Sequence, residues 1–160
     1  MTEYIPDPKR YFLATTEETI NDYTMDKISF VNNSEHPIET LTMDRGSADL
    51  EVPPIAYAEK IADGLTNGLA IKNVYNIPSK SAEEIDRLHN WEHDWSNGWH
   101  LFIKTEKKYF YVRFLMYKWS FMDNPKIDSI PVTGKEGRIL YPMTLEEIIP
   151  RNVLEGISKD

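Results

Sequence analysis

A chain of 160 residues with 41% hydrophobic and 12% aromatic side chains can bury a core of its own without covalent staples, so residues 1–160 read as one globular domain. The absence of cysteine excludes a disulfide framework, thiolate zinc or iron–sulfur centres and a cysteine nucleophile. A net charge of −8 disfavours direct binding to nucleic acid or to an anionic membrane and favours a basic partner.

The opening "MTEYIPDPKRYFLATTEE" lacks a basic region followed by an apolar core. No run of about eighteen apolar residues occurs anywhere, so the expectation is a cytoplasmic protein with no membrane span. The charge is uneven: residues 1–98 hold 18 acids against 8 bases, residues 99–119 hold one acid against 5 bases, and residues 120–160 hold 7 acids against 5 bases.

After an irregular start, "ATTEETINDY" offers Thr15 with Glu18 in capping-box spacing and predicts a short helix ending near Tyr23. "KISFV" and "IETLTM" are rich in β-formers and predict two strands that pair as a hairpin across "NNSEHP". "PPIAYAEKIADGLTNG" starts on proline and ends on Asn67-Gly68, with Ile55, Ala58, Ile61, Ala62 and Leu65 at helical spacing, and predicts a second helix. "LAIKNVYNI" reads as a strand stopped by Pro78. In "SKSAEEIDRLHNWEHDWSNG", Ser81 with Glu84 forms another capping box. Ile85, Leu88, Trp91 and Trp95 then mark the buried stripe of a third helix, closed by Asn97-Gly98.

"WHLFIKTEKKYFYVRFLMYKW" predicts two strands around a tight Glu106-Lys107 turn, followed by a short strand pair around "VTGKEG". "MTLEEIIP" carries Thr144 with Glu147, a third capping box, and predicts a last helix closed by Pro150. Helices and strands mix without strict alternation. The expected class is therefore α+β, an antiparallel sheet of about five to seven strands with three or four helices packed mainly on one side.

The stretch "HNWEHDWSNGWH" holds three of the four histidines and three of the four tryptophans. On a helix, His89 and His93 would face one way with Glu92 beside them. "HNWEH" thus resembles the H-x-x-E-H string of the inverzincin peptidases, a resemblance that implies zinc on His89 and His93 and a general base at Glu92. The match covers five residues, and that family draws a further acidic ligand from a later helix in a much larger domain. His100 is the other candidate ligand. The alternative reading is a surface helix whose tryptophans pack inward while both histidines flank the apolar stripe, and on it no metal and no cofactor is expected.

In "KKYFYVRFLMYKW" the alternation puts Phe110, Val112, Phe114 and Met116 on a core face, and Tyr109, Tyr111, Arg113, Leu115, Tyr117 and Trp119 on the other. If that second face is open, its phenols, indole and guanidinium, with Lys104 nearby, form a binding surface for a protein or a nucleotide-like ligand. If it is covered, this is a central strand. "KKYFYVRF" also resembles the RNP1 string of the RNA-recognition motif, which implies base stacking on Tyr109 and Tyr111, although Lys108 and Phe110 stand where that string has small residues.

No nucleophile elbow, P-loop or dinucleotide fingerprint is present. Glu17-Glu18, Glu83-Glu84 and Glu146-Glu147 fall in the first turns of expected helices, where the macrodipole accounts for them. The expected function is that of a small acidic binding protein that inhibits or regulates a larger macromolecule, of the immunity or phage anti-defence kind, occupying a partner's basic groove as a mimic of nucleic acid. The alternatives are a metal-dependent hydrolase on His89, Glu92 and His93, and a nucleotide or small-ligand binder on Tyr109, Tyr111, Arg113 and Trp119.

Overall fold

The computed structural model describes residues 9–46, 71–89, 97–106, 108–116 and 124–148. These residues form strands and connections, with no helix among them. The strands are β1 (Tyr11–Ile20), β2 (Tyr23–Asn32), β3 (Ile38–Gly46), β4 (Ile71–Ile77), β5 (Ser81–His89), β6 (Asn97–Thr105), β7 (Tyr109–Met116), β8 (Arg138–Leu140) and β9 (Thr144–Ile148). They make two antiparallel sheets, one ordered β5-β2-β1-β8 and the other β4-β3-β6-β7-β9.

The two sheets pack face to face as a sandwich. Leu13, Phe30 and Leu88 of the four-stranded sheet share one buried cluster with Leu41, Trp99, Leu101, Phe110 and Phe114 of the five-stranded sheet. The Tyr11 ring meets Phe110 edge-on at 5.9 Å, and the Trp99 indole donates across the gap to an Asp86 carboxylate oxygen at 2.9 Å. The core face expected of β7 is therefore realised, because Phe110, Val112, Phe114 and Met116 are all buried in this cluster. A second cluster lies behind the four-stranded sheet, where Phe12, Ala14 and Val31 pack under Ile130. That packing requires a glycine at 137, since a Cβ there would collide with the Thr15 carbonyl oxygen.

The α+β expectation is overturned: within the described residues the protein is all-β. Thr15/Glu18 lies on β1, Ser81/Glu84 on β5 and Thr144/Glu147 on β9, so none of these three pairs starts a helix. In "ATTEETINDY" the β-branched residues extend one arm of a hairpin. Asn21 and Asp22, with φ of 49° and 67°, supply the two left-handed residues of a tight turn into β2. In "SAEEIDRLH" the register slips opposite Ile28/Ser29, which inserts Ile85 as an extra residue and turns both Ile85 and Leu88 into the core. A bulged strand thereby reproduces the i, i+3 spacing of a helix.

The paired glutamates accordingly sit on strands. Glu83-Glu84 and Glu146-Glu147 lie on β5 and β9, the outermost of the described strands in their sheets, and charge there discourages edge-to-edge association. "KISFV" and "IETLTM" are strands but not partners: β2 pairs with β1 and β5, while β3 pairs with β4 and β6. The link between them crosses from one sheet to the other. "LAIKNVYNI" and the two strands around Glu106-Lys107 form as expected, as β4, β6 and β7. Around "VTGKEG" there is one bridge, Ile127 to Gly137, and then β8, which pairs with β1. The helix expected over 53–68 lies outside the described residues. No helix among the described residues is long and apolar enough to cross a membrane.

Candidate functional site

The antiparallel register places His100 opposite Arg113, Phe102 opposite Tyr111 and Lys104 opposite Tyr109, all on the outward face of the five-stranded sheet. β9 adds Glu146 beside Tyr111 and Thr144 beside Arg113. This is the face on which the sequence places its aromatic binding surface.

Around Tyr111 the face is closed. Tyr111 is 4% exposed, Leu115 is buried too, and His100 is fully buried. The His100 imidazole Nδ1 and the Tyr111 hydroxyl are 2.7 Å apart, the two rings stack at 6.0 Å, and Phe102 packs at 5.3 Å from Tyr111. Burial pushes the Tyr111 phenol up to about 12; the Arg113 charge opposes that shift and the Glu146 carboxylate reinforces it. Tyr111 is consequently neutral at physiological pH and tied to the imidazole. That makes it an interior polar link rather than a stacking platform.

Arg113 and Tyr109 are half-buried. The Lys104 ammonium lies 5.9 Å from the Tyr109 ring centre and 3.7 Å from Glu39. Tyr117 and Trp119 lie outside the described residues.

The histidines separate in the same way. His89 ends β5 in the four-stranded sheet, paired with Met25, whereas His100 sits inside the five-stranded sheet. His89 itself has extended backbone, as the last residue of β5; Glu92 and His93 lie outside the described residues. Among the described residues no group of three acidic or imidazole side chains is arranged to hold a metal ion.

One feature was hidden by the expected helix at Thr15. Among the described residues the β1–β2 hairpin runs past its pairing partners: β8 pairs with Leu13 to Thr15, and β5, described as far as His89, pairs up to Met25. Residues 19–24 are all exposed. At the tip Ile20 and Tyr23 pair directly, 41% and 73% exposed, on either side of the Asn21-Asp22 turn. With Met25 and His89 they border an open concavity of about 670 Å³. The signal that would have found this tip is the Asn-Asp dipeptide between two β-branched runs.

Farther along the same hairpin, Arg87 bridges Glu84 and Glu18, while Lys27 also reaches Glu84. These pairs hold the Glu84 carboxyl below the usual carboxylate range, chiefly through the Arg87 hydrogen bond, and raise Arg87 in turn. The chain matches no protein-family model, no curated protein and no solved structure.

Proposed function

We propose that this protein is an acidic, non-catalytic binding module that inhibits or regulates a larger macromolecule by inserting the β1–β2 tip into a cleft bordered by basic groups. The observation that carries the reading is the exposed Ile20–Tyr23 pair on a projecting hairpin. Full burial of a large apolar side chain contributes about 1.5–3 kcal/mol, and tyrosine is enriched among residues that dominate interfaces. A two-residue turn holds the pair in place before contact, which lowers the ordering cost on binding. Asp22 lies in the turn of a chain of net charge −8, so a basic rim is the complementary surface, whereas Glu17 and Glu18 on the β1 arm are already paired with Lys126, Arg138 and Arg87.

Two rivals lose support. A hydrolase built on His89 would have to start from an extended strand residue rather than from a helical turn, and a ligand site on the aromatic strand would need access to Tyr111, which is buried.

The test is quantitative affinity capture with wild type and with the Ile20→Ser/Tyr23→Ala double variant, at low and at high salt. A specific partner should be retained by wild type, reduced at least tenfold by the double variant, and weakened by salt because exposed charge pairs are screened over about 8 Å at physiological ionic strength. A partner captured equally by both proteins would refute the tip as the docking element. An affinity indifferent to salt would refute the basic rim.

A further inference from the structure

We propose that residues 127–137 form a strained flap, seated on the back of the four-stranded sheet by one buried side chain, which opens as a unit and uncovers an apolar socket. The seat is Ile130. It is 1% exposed and packs on Phe12, Ala14 and Val31, with Ile127 and Ile139 beside it. The residues on either side of it, Asp128-Ser129 and Pro131-Val132, are exposed. One side chain therefore carries the contact at the middle of the flap.

The backbone bonds of the flap close on the flap itself. Ile127 and Gly137 exchange two hydrogen bonds, at 2.8 and 3.0 Å, while the Ile130 N–H donates to the Lys135 carbonyl and the Gly134 N–H to the Ile130 carbonyl, both at 2.8 Å. The Lys135 N–H donates to the Thr133 hydroxyl at 3.2 Å. Unwinding the flap breaks these bonds and leaves the strand ladders intact, which is what a separate opening unit needs. Its base is fixed, because the Arg138 Nε donates to the Asn124 carbonyl at 2.9 Å, the Asn124 amide donates to the Ile139 carbonyl at 3.2 Å, and β8 pairs with β1 from Arg138 onward. Movement is thereby confined to the residues between. Past the seat, Thr133 and Lys135 stand across a concavity of about 240 Å³ from Ala14, Thr16, Ser29 and Ala82 of the sheet, so the flap's far end spans a gap.

Strain works against the closed state. Val132 has a φ of 74°, in the left-handed region. Pro131 followed by a left-handed residue is the order of a type II turn, whose second central position favours glycine or asparagine because a Cβ crowds the backbone there. A β-branched residue in that place is an outlier, and Val132 is 38% exposed, so its own burial does not offset the strain. Gly134, at φ 68°, takes the other left-handed position without that penalty. The seat of Ile130 and the internal bonds hold Val132 where it is, and strain sustained by its surroundings recurs in segments that switch. By alternation Phe12, Ala14 and Val31 face the same side of the β1–β2 hairpin as Ile20 and Tyr23. Opening the flap thus adds apolar surface to the side of the hairpin that already carries the exposed pair.

The test is amide hydrogen exchange of the full-length protein, read residue by residue by NMR at several urea concentrations below the unfolding transition. The amides of Ile130, Gly134 and Lys135 should exchange at least about tenfold faster than those of Leu101 and Val112 in the five-stranded sheet, and with a much weaker urea dependence, because opening the flap exposes little surface. Val132→Gly should slow exchange at Gly134 and Lys135 by about threefold or more, and Val132→Ala by less, since each relieves the left-handed valine. Ile130→Ala should speed exchange at the same two amides by about tenfold or more, because it empties the seat. Should that variant fail to fold, Ile130→Val reads the same dependence with a smaller factor. Flap and strand amides that share one rate and one urea slope would show that the flap opens only with the whole sandwich, and would overturn the proposal. Val132→Gly that leaves flap exchange unchanged or faster would remove the strain, and flap exchange indifferent to the Ile130 variants would remove the seat; either result also overturns it.

Discussion

Replacing Asn32 by alanine tests whether the polar wiring at the loop pole contributes to the stability of the whole sandwich. The fully buried Asn32 amide makes four hydrogen bonds, two donated to the carbonyls of His36 and Pro78 and two accepted from Ser34. Two of the abandoned groups have a partner: the Ser34 hydroxyl, its single hydrogen released from Asn32, can donate to the His36 carbonyl 2.9 Å away, and the Pro78 carbonyl accepts from the Ser81 hydroxyl at 2.7 Å. The Ser34 backbone N–H loses its acceptor. One buried orphan costs about 1–3 kcal/mol and each remaining bond contributes about 0.5–1.5 kcal/mol net, so with partial redundancy the expected loss is about 3 kcal/mol.

For a chain of this length that corresponds to a fall in Tm of roughly 6–12 °C. Urea unfolding followed by tryptophan fluorescence measures it, and the midpoint should drop with the slope unchanged. Asn32→Asp adds a pH signature. A carboxylate facing two carbonyl oxygens prefers to stay protonated in the folded state. Relative to wild type, this variant should be most stable below about pH 3.9 and lose stability as pH rises from there toward its raised folded-state value. A loss under about 1 kcal/mol for Asn32→Ala, or an Asp variant without that pH trend, would falsify the wiring argument.

Phe110→Ala and Phe114→Ala should each destabilise by about 3–5 kcal/mol in the same unfolding assay, because both rings are buried between the sheets. Tyr111→Ala should also destabilise, by more than 1 kcal/mol, and a neutral effect would mean that the outward face of β7 is open after all. In an ultraviolet titration Tyr111 should resist ionisation up to about 12, above the ordinary tyrosine value of about 10. The stability that Tyr111 contributes through this shift is complete below about pH 10 and is lost as pH rises through about 12, so Tyr111→Phe should flatten the alkaline limb of the stability profile. Asp22→Gly should raise the Tm slightly, since glycine adopts the left-handed conformation at that turn position without a Cβ penalty; a lower Tm would argue that the Asp22 side chain supports the turn.

Some of this fold was legible in the sequence. β4, β6 and β7 follow from short β-rich runs between breakers, and the core face of β7 from its alternating apolar residues, although β6 and β7 prove to be largely buried on both faces. Three Ser/Thr-x-x-Glu pairs were misleading. That pattern is local and short, and a capping box has meaning only where the residues after it bury a helical stripe. At Ser81 even the stripe was imitated, because the bulge that admits Ile85 changes the spacing of inward residues from two to three.

By itself the sequence determined the absence of thiol chemistry, the acidic balance, the apolar face of the aromatic strand and, through Asn21-Asp22, a turn whose meaning went unread. Tertiary structure alone decided which sheet each strand joins, since β2 and β3 are neighbours in sequence yet belong to opposite sheets. It also decided that Tyr111 is covered, that the β1–β2 tip is exposed, and that Arg10, His36 and Lys108 line one pocket. The physical reason is the same in each case. Alternation specifies that a residue faces one side of a strand, but only the element packed against that side determines whether it meets core, cavity or solvent.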